Sequence, residues 1–173
     1  MKSIPCTYKG VKMRSRLEAT WAAVLDNYGI EWVYEPEGYE LSDGTLYLPD
    51  FYLPRANMIF EVKGVMTEFD EHKIRQWVAD AHRPAAIGFP DGRFKACSRD
   101  WEEDVENWVF DDGAFINKCS NCGGVSFMAF GAYWWICPCC DSCDGDHWIN
   151  PLTATGGGDG LIPNFTKFYP KVR

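Results

Sequence analysis

The sequence predicts an α/β domain followed by a small cysteine module and a C-terminal tail. In some short segments, apolar and polar residues alternate, as is typical of strands. Between them lie segments whose apolar residues recur at helical spacing. Six of the eight cysteines lie between Cys119 and Cys143. The end of the chain is rich in Gly and Pro. We therefore expect the domain over residues 1–112, the module over 113–150 and the tail over 151–173.

The composition favours a packed core and no membrane segment. Hydrophobic residues make up 46% of the 173 residues, including eleven Phe, eight Trp and eight Tyr. No apolar run approaches the roughly 20 residues that a membrane helix needs. Residues Met1 to Cys6 lack the apolar stretch of a signal peptide. We expect a cytoplasmic protein without a membrane partner.

The charge is segregated along the chain. The formal net charge of −8 argues against a protein that coats nucleic acid without sequence preference. Five basic residues nevertheless precede the first acidic one: Lys2, Lys9, Lys12, Arg14 and Arg16. Seven acids and no base lie between Asp100 and Asp112. A basic surface could therefore meet phosphate while an acidic one faces away, although two solvated surfaces would give the same pattern.

An amphipathic helix is predicted over residues 14–28. Its apolar stripe consists of Leu17, Trp21, Val24, Leu25 and Tyr28, and Gly29 ends it. Glu18 lies at the edge of this stripe, at the margin of the core. An ion pair between Glu18 and Arg14, one turn earlier, is the simplest structural role for this carboxylate.

The remaining elements alternate between strands and helices. Ser42-Asp43-Gly44-Thr45 is a hairpin turn signal, and Thr67 with Asp70 forms a variant of the capping box. The second helix carries Ile74, Trp77 and Val78 at helical spacing. Strands are predicted over residues 31–35, 39–41, 46–48, 58–63, 85–89 and 93–97. An acidic helix is predicted to open at Ser98, with Trp101, Val105, Trp108 and Val109 on one side.

Two short segments carry the chemistry. The first is Leu48-Pro49-Asp50-Phe51-Tyr52-Leu53-Pro54, and the second is Ile59-Phe60-Glu61-Val62-Lys63-Gly64. Side chains alternate along a strand, so Glu61 and Lys63 emerge on one face. Two converging carboxylates suit Mg²⁺ or Mn²⁺, and an adjacent ammonium can position water or phosphate. Taken singly, Asp50 could be a turn residue, and Glu61 with Lys63 a surface ion pair.

The cysteine module has the spacing of two zinc knuckles. Cys119 and Cys122 form one C-x-x-C pair, and Cys137 and Cys140 form another. Four thiolates complete a tetrahedral zinc site with no open position, which indicates a structural ion. Cys139 or Cys143 could replace a ligand of the second pair. Residues 125–130 and 133–136 are predicted to form the hairpin strands of a zinc ribbon.

Residues 8–90 resemble the PD-(D/E)xK nuclease superfamily. Three motifs occur in the expected order: Tyr8-Lys9-Gly10 with Arg14-Ser15-Arg16-Leu17-Glu18-Ala19, then Leu48-Pro49-Asp50-Phe51, then Phe60-Glu61-Val62-Lys63-Gly64. The early helix is similar to that of phage-type junction-resolving endonucleases and transposon end-cleaving nucleases, and homing-type endonucleases share the core. The resemblance implies a restriction-endonuclease-like mixed central sheet flanked by helices.

The resemblance also implies roles for individual residues. Asp50 and Glu61 would be the principal Mg²⁺ or Mn²⁺ ligands, with the Val62 carbonyl as a further one. Glu18 would complete the shell of a second metal or hold water. Lys63 would orient the attacking water and stabilise the phosphate. Three basic residues would contact DNA: Lys12, Arg14 and Arg16.

The expected activity is metal-dependent hydrolysis of DNA by an endonuclease of a bacterial or phage-infected cell. Branched, nicked or junction DNA is the expected substrate, and junction cutting would require a homodimer. Sequence-specific or homing-type nicking is the main alternative within this class. A protein that binds DNA or another protein without catalysis, through the zinc ribbon and the acidic helix, is the alternative outside it.

Overall fold

The computed structural model describes residues 4–99, 108–111, 115–128, 137–142 and 148–149. Within these ranges the chain forms two helices and thirteen short strands. In chain order they are β1 (Cys6–Tyr8), β2 (Val11–Met13), α1 (Arg16–Asn27), β3 (Val33–Tyr34), β4 (Tyr39–Glu40), β5 (Leu46–Tyr47), β6 (Phe51–Leu53), β7 (Met58–Val62), α2 (Glu68–Ala81), β8 (Ala85–Gly88), β9 (Phe94–Arg99), β10 (Trp108–Asp111), β11 (Phe115–Cys119), β12 (Val125–Met128) and β13 (Trp148–Ile149).

A six-stranded mixed sheet is the centre of the fold. Its strand order is β10-β9-β8-β7-β6-β3. Only the β7–β8 pair is parallel among the described strands, and α2 is the crossover between its members. The mixed α/β class predicted from the sequence is confirmed. The β1–β2 hairpin was not predicted from the sequence.

The two helices cover opposite faces of this sheet. Phe60 of β7 packs with Trp21 of α1, with ring centroids 5.0 Å apart, whereas Ile59 belongs to the cluster formed by α2. Adjacent strand residues point to opposite faces, so each helix covers one side. Gly88 is needed at the α1 contact, because a Cβ there would lie 2.3 Å from the Trp21 indole. The helix predicted over residues 14–28 is confirmed as α1, with bounds shifted by two residues or fewer, and the helix predicted after Thr67 is confirmed as α2.

The acidic helix predicted from Ser98 to Val109 is wrong at both ends. Ser98 lies in β9, and Trp108 to Asp111 form β10, which pairs antiparallel with β9. Trp101 and Val105 lie outside the described residues. The aromatic and β-branched residues of Trp108-Val109-Phe110 suit a strand, and pairing with β9 supplies the backbone hydrogen bonds. The apolar spacing fits a helical stripe equally well, so periodicity alone could not separate the two.

The cysteine module packs directly onto the core. Its described strands form a sheet in the order β12-β11-β13. The Phe127 ring of β12 lies 4.9 Å from the Phe60 ring and 5.0 Å from the Phe94 ring. The strand predicted over residues 125–130 is confirmed as β12. Its described partner is β11, while residues 133–136 and the tail over 151–173 lie outside the described ranges.

No helix in the described part of the chain is both long and apolar enough to cross a membrane.

Candidate functional site

The hairpin register brings Asp50 and Glu61 together. Phe51 of β6 pairs with Phe60 of β7, so one further step along the hairpin sets Asp50 beside Glu61. The Asp50 amide donates to Glu61 Oε1 at 3.2 Å, and the Val62 amide donates to Asp50 Oδ2 at 2.8 Å. The ten residues between the two acids therefore form the hairpin that brings them together: the two paired strands and the turn between them.

Glu61 and Lys63 form a shielded ion pair. The Lys63 ammonium lies 2.8 Å from Glu61 Oε2 and 3.4 Å from Asp70 Oδ1 of α2. Glu61 is 1% exposed. The Tyr47 hydroxyl donates to Glu61 Oε1 at 2.7 Å. This burial excludes the interpretation of Glu61 and Lys63 as an ordinary surface pair.

Glu18 is held at the start of α1. Ser15 is the N-cap and accepts from the Glu18 amide, while the Ser15 hydroxyl donates to Glu18 Oε1 at 2.6 Å. Glu18 Oε2 accepts from the Tyr34 hydroxyl at 2.6 Å and from the Arg14 amide at 3.0 Å. Glu18 is buried, and both of its carboxylate oxygens accept hydrogen bonds.

Arg14 connects the helix start to the hairpin. Its Nη2 lies 3.1 Å from Asp50 Oδ1, and its Nε lies 2.6 Å from Glu35 Oε1. The guanidinium thus contacts Asp50, while the amide of the same residue contacts Glu18. Glu18, Asp50, Glu61 and Lys63 are consequently parts of one connected polar network.

The network buries several acids close together, and this perturbs the protonation of Asp50. Burial, and next the charge of Glu61, raise the pKa of Asp50 to about 7, against the opposing effects of Lys63 and the Val62 amide. Nearby carboxylates raise the pKa of Lys63 despite its burial, so its ammonium stays charged. Five carboxylates (Glu18, Glu35, Asp50, Glu61 and Asp70) face three cations (Arg14, Lys63 and Lys73), which leaves net negative charge when all of them ionise.

The cysteine cluster has the geometry of a metal site. The four sulfurs of Cys119, Cys122, Cys137 and Cys140 lie within 4.8 Å of one another. Cys119 and Cys140 are 3.8 Å apart, as are Cys122 and Cys137. A tetrahedron with metal–sulfur bonds of about 2.3 Å has edges of roughly 3.8 Å. These four thiols could bind a structural metal such as zinc.

The surroundings of the sulfurs fit that use. The Gly124 amide donates to Cys122 Sγ at 3.3 Å, and the Cys139 amide donates to Cys137 Sγ at 3.4 Å. Cys139 is half-buried beside the group of four and is not a member of it. Cys143 lies outside the described residues. Arg55, in the turn between β6 and β7, donates to the Cys122 carbonyl and joins the module to the hairpin.

Within the described ranges, the cysteines are the one group of three or more ligand residues gathered this tightly. The carboxylate oxygens of Glu18, Asp50 and Glu61 contact cations, hydroxyls and backbone amides instead. The three basic candidates are all exposed: Lys12 on β2, Arg14 before α1 and Arg16 at its first residue.

Sequence reasoning missed the residues that hold the carboxylates. Tyr34 and Tyr47 come from separate short strands and meet their partners only through the fold. Ser15 did carry a signal, because Ser15-Arg16-Leu17-Glu18 has the S-x-x-E spacing of a capping box. Comparison with known proteins finds neither a matching family model nor a matching curated protein.

Proposed function

We propose that this protein is a divalent-metal-dependent endonuclease that hydrolyses DNA phosphodiester bonds. The observation that carries the proposal is the buried pair Asp50 and Glu61 beside the Lys63 ammonium. Burying two acids and a lysine together is costly for stability, so such a group favours a functional role. The resemblance of the three sequence motifs to PD-(D/E)xK nucleases supports the same activity.

The carboxylates fit a hard cation such as Mg²⁺ or Mn²⁺. Asp50 and Glu61 would hold the ion with the Val62 carbonyl, and Glu18 would support a second ion or a water. All are oxygen donors, which these cations prefer. Burial, and next the charge of Glu61, raise the pKa of Asp50, so a bound cation would stabilise its ionised form. A bound ion supplies an activated water and screens charge on the phosphate.

The protein side chains would do the positioning. Lys63 is held by Glu61 and Asp70, and it remains protonated. Its role is therefore to orient water and stabilise negative charge on the phosphate, not to accept a proton. Arg14, Arg16 and Lys12 are exposed near the start of α1, where they can contact phosphates along the DNA.

The ion at the cysteines is proposed to be zinc with a structural role. Four sulfurs complete its coordination and leave no position for a substrate. The surrounding strands β11, β12 and β13 would form the ribbon around it. Branched or nicked DNA in the cytoplasm is the proposed substrate, with a homodimer if the enzyme cuts junctions. Sequence-specific nicking is the alternative within this activity.

The test is cleavage of labelled linear, nicked, flapped, four-way-junction and single-stranded DNA with Mg²⁺ or Mn²⁺. Wild type should cut at least one substrate, and Asp50→Ala and Lys63→Ala should lose about two to four orders of magnitude in rate. Asp43→Ala is the matched control, because Asp43 is an exposed acid in the β4–β5 turn. The preferred substrate would identify the substrate class.

One observation favours a second candidate, a DNA-binding protein without catalysis. Lys63 and Arg14 already neutralise part of the charge on Glu61 and Asp50. A purely structural network would look the same in this respect. Salt-dependent DNA binding without cleavage in either metal would favour this candidate and reject the nuclease.

A further inference from the structure

A cavity of about 440 Å³ lies at the end of the sheet where β8 stops and β9 begins. It is lined by Met66, Phe89, Arg93, Phe94 and Lys95. The Lys63 amide donates to the Gly88 carbonyl at 3.0 Å, immediately before Phe89. Strands are about 4.8 Å apart, so β9 lies roughly 10 Å from β7, which ends one residue before Lys63.

The cavity wall combines apolar and cationic groups. Met66 and Phe89 are half-buried and Phe94 is buried, which gives a wall with aromatic rings. Arg93 is exposed and Lys95 is half-buried. Asp91 contacts the Nε atom of Arg93 at 2.6 Å. Arg93 and Lys95 thus contribute two cationic side chains to the described wall, in a chain whose net charge is −8.

The loop that forms the cavity is held in place by hydrogen bonds. The Phe89 amide donates to the Arg93 carbonyl at 2.9 Å, and the Gly92 amide donates to the Phe89 carbonyl at 3.1 Å. The Trp21 indole also donates to the Phe89 carbonyl, at 3.2 Å. A ligand would therefore meet a preformed wall. Val65, which is 80% exposed, adds apolar surface next to Met66.

We propose that this cavity binds one unstacked nucleotide of the DNA strand next to the phosphate that is cut. The base would stack on Phe89 and contact Met66, while Arg93 and Lys95 would contact the phosphates. Aromatic faces with adjacent cations are what an exposed nucleotide requires. This inference rests on the proposed nuclease, because Lys63 marks the position of that phosphate. It predicts a preference for DNA with an unpaired nucleotide at a nick or branch.

The test measures binding and does not depend on cleavage. The protein carries Lys63→Ala so that the DNA stays intact, and binding is followed by fluorescence anisotropy in Ca²⁺. Three labelled DNAs share one sequence: a continuous duplex, a nicked duplex with a short unpaired flap, and the same flap with its first base removed. The flap should bind about tenfold more tightly than the other two.

Matched variants assign that preference to the cavity. Phe89→Leu keeps the apolar volume but removes the aromatic face, and it should abolish the preference for the flap. Met66→Ala provides a second, milder change if Phe89→Leu fails to fold. Arg93→Glu should weaken binding of all three DNAs. Arg83→Glu is the control, because Arg83 is exposed before β8, at the opposite end of that strand.

Equal binding of the three DNAs would overturn the inference. So would an unchanged flap preference in the folded Phe89→Leu and Met66→Ala proteins, since the unpaired nucleotide would then bind outside the cavity. Flap preference without cleavage by wild type in any metal would reject the proposed nuclease activity and retain the nucleotide-binding cavity. Cleavage without flap preference would retain the nuclease activity and reject the nucleotide-binding cavity.

Discussion

At the scale of single residues, Tyr47 is one of three groups that hold the most buried acid, Glu61, together with Lys63 and the Asp50 amide. The Tyr47 hydroxyl donates to Glu61 Oε1, and the ring is 4% exposed. Tyr47→Phe removes this hydrogen bond, so the buried Glu61 carboxylate loses one of its donors. We expect a loss of about 1–3 kcal/mol in the free energy of unfolding, measured in urea.

Tyr39→Phe is the matched control for that measurement. Tyr39 donates to Glu37 at 3.1 Å in an exposed contact, so the same chemical change should cost under about 0.5 kcal/mol. Equal losses in the two variants would show that Glu61 does not depend on Tyr47.

Asp50 predicts how stability depends on pH in the metal-free protein. Burial and Glu61 raise its pKa to about 7. Between about pH 4, the pKa of Asp in the unfolded chain, and about pH 7, the native state therefore binds more protons than the unfolded state. The stabilising contribution of Asp50 protonation is present at low pH and is lost as the pH rises toward and through 7.

Denaturation of wild type and Asp50→Asn in urea at pH 5 and pH 8 measures this contribution. The free energy of unfolding of wild type relative to the variant should fall by about 2 kcal/mol over that interval. Mg²⁺ should reduce the fall, because it stabilises the ionised carboxylate. A difference between the proteins that is the same at both pH values would contradict the assigned protonation of Asp50.

At the scale of elements, the two C-x-x-C pairs predict the metal content of the protein. Wild type should bind one zinc ion per chain, and Cys119→Ser should lose it, because three sulfurs bind the ion less tightly. The measurement is the metal content of purified protein. Cys6→Ser is the control, because Cys6 is a buried cysteine of β1 outside the cluster.

Cys139→Ser resolves the choice of ligand that the sequence leaves open. The structure gathers Cys140 with the other three thiols, so Cys139→Ser should keep its zinc. Loss of zinc in Cys139→Ser and not in Cys140→Ser would instead assign Cys139 to the site.

The elements also show which patterns could be read from the sequence. Both described helices carry long apolar stripes and N-terminal caps, Ser15 and Thr67, and their periodicity was sufficient. β6 and β10 contain only three and four residues, too few for the spacing of apolar residues to distinguish a strand from a turn or a helix. The motif positions of Asp50 and Glu61 were readable, whereas Tyr34, Tyr47 and Arg14 acquire their contacts from tertiary structure.

At the scale of the whole molecule, the cysteine module and the α/β sheet share one core. Ile116 and Phe127 belong to the same buried cluster as Trp21 and Phe60. We therefore expect zinc release and the loss of native tryptophan fluorescence to occur at the same urea concentration. Release is followed with a coloured zinc indicator.

Phe127→Ala is the variant that should separate the two transitions. The ring is 1% exposed and contacts Phe60 and Phe94, so its loss should cost about 3–5 kcal/mol of packing. Zinc release from wild type at clearly lower urea than the fluorescence change would show that the module unfolds independently.

The turn between β6 and β7 contains only four residues, 54–57. Because side chains alternate along a strand, inserting or deleting one residue there would exchange the faces of β7 relative to β6. Phe60 or Val62 would then lie opposite Asp50, and Glu61 would leave the network. Length changes at this position should therefore eliminate the site in a single event, whereas replacement of exposed Arg55 changes one contact. In an evolving population, this turn should tolerate replacement of Arg55 more readily than a change in length.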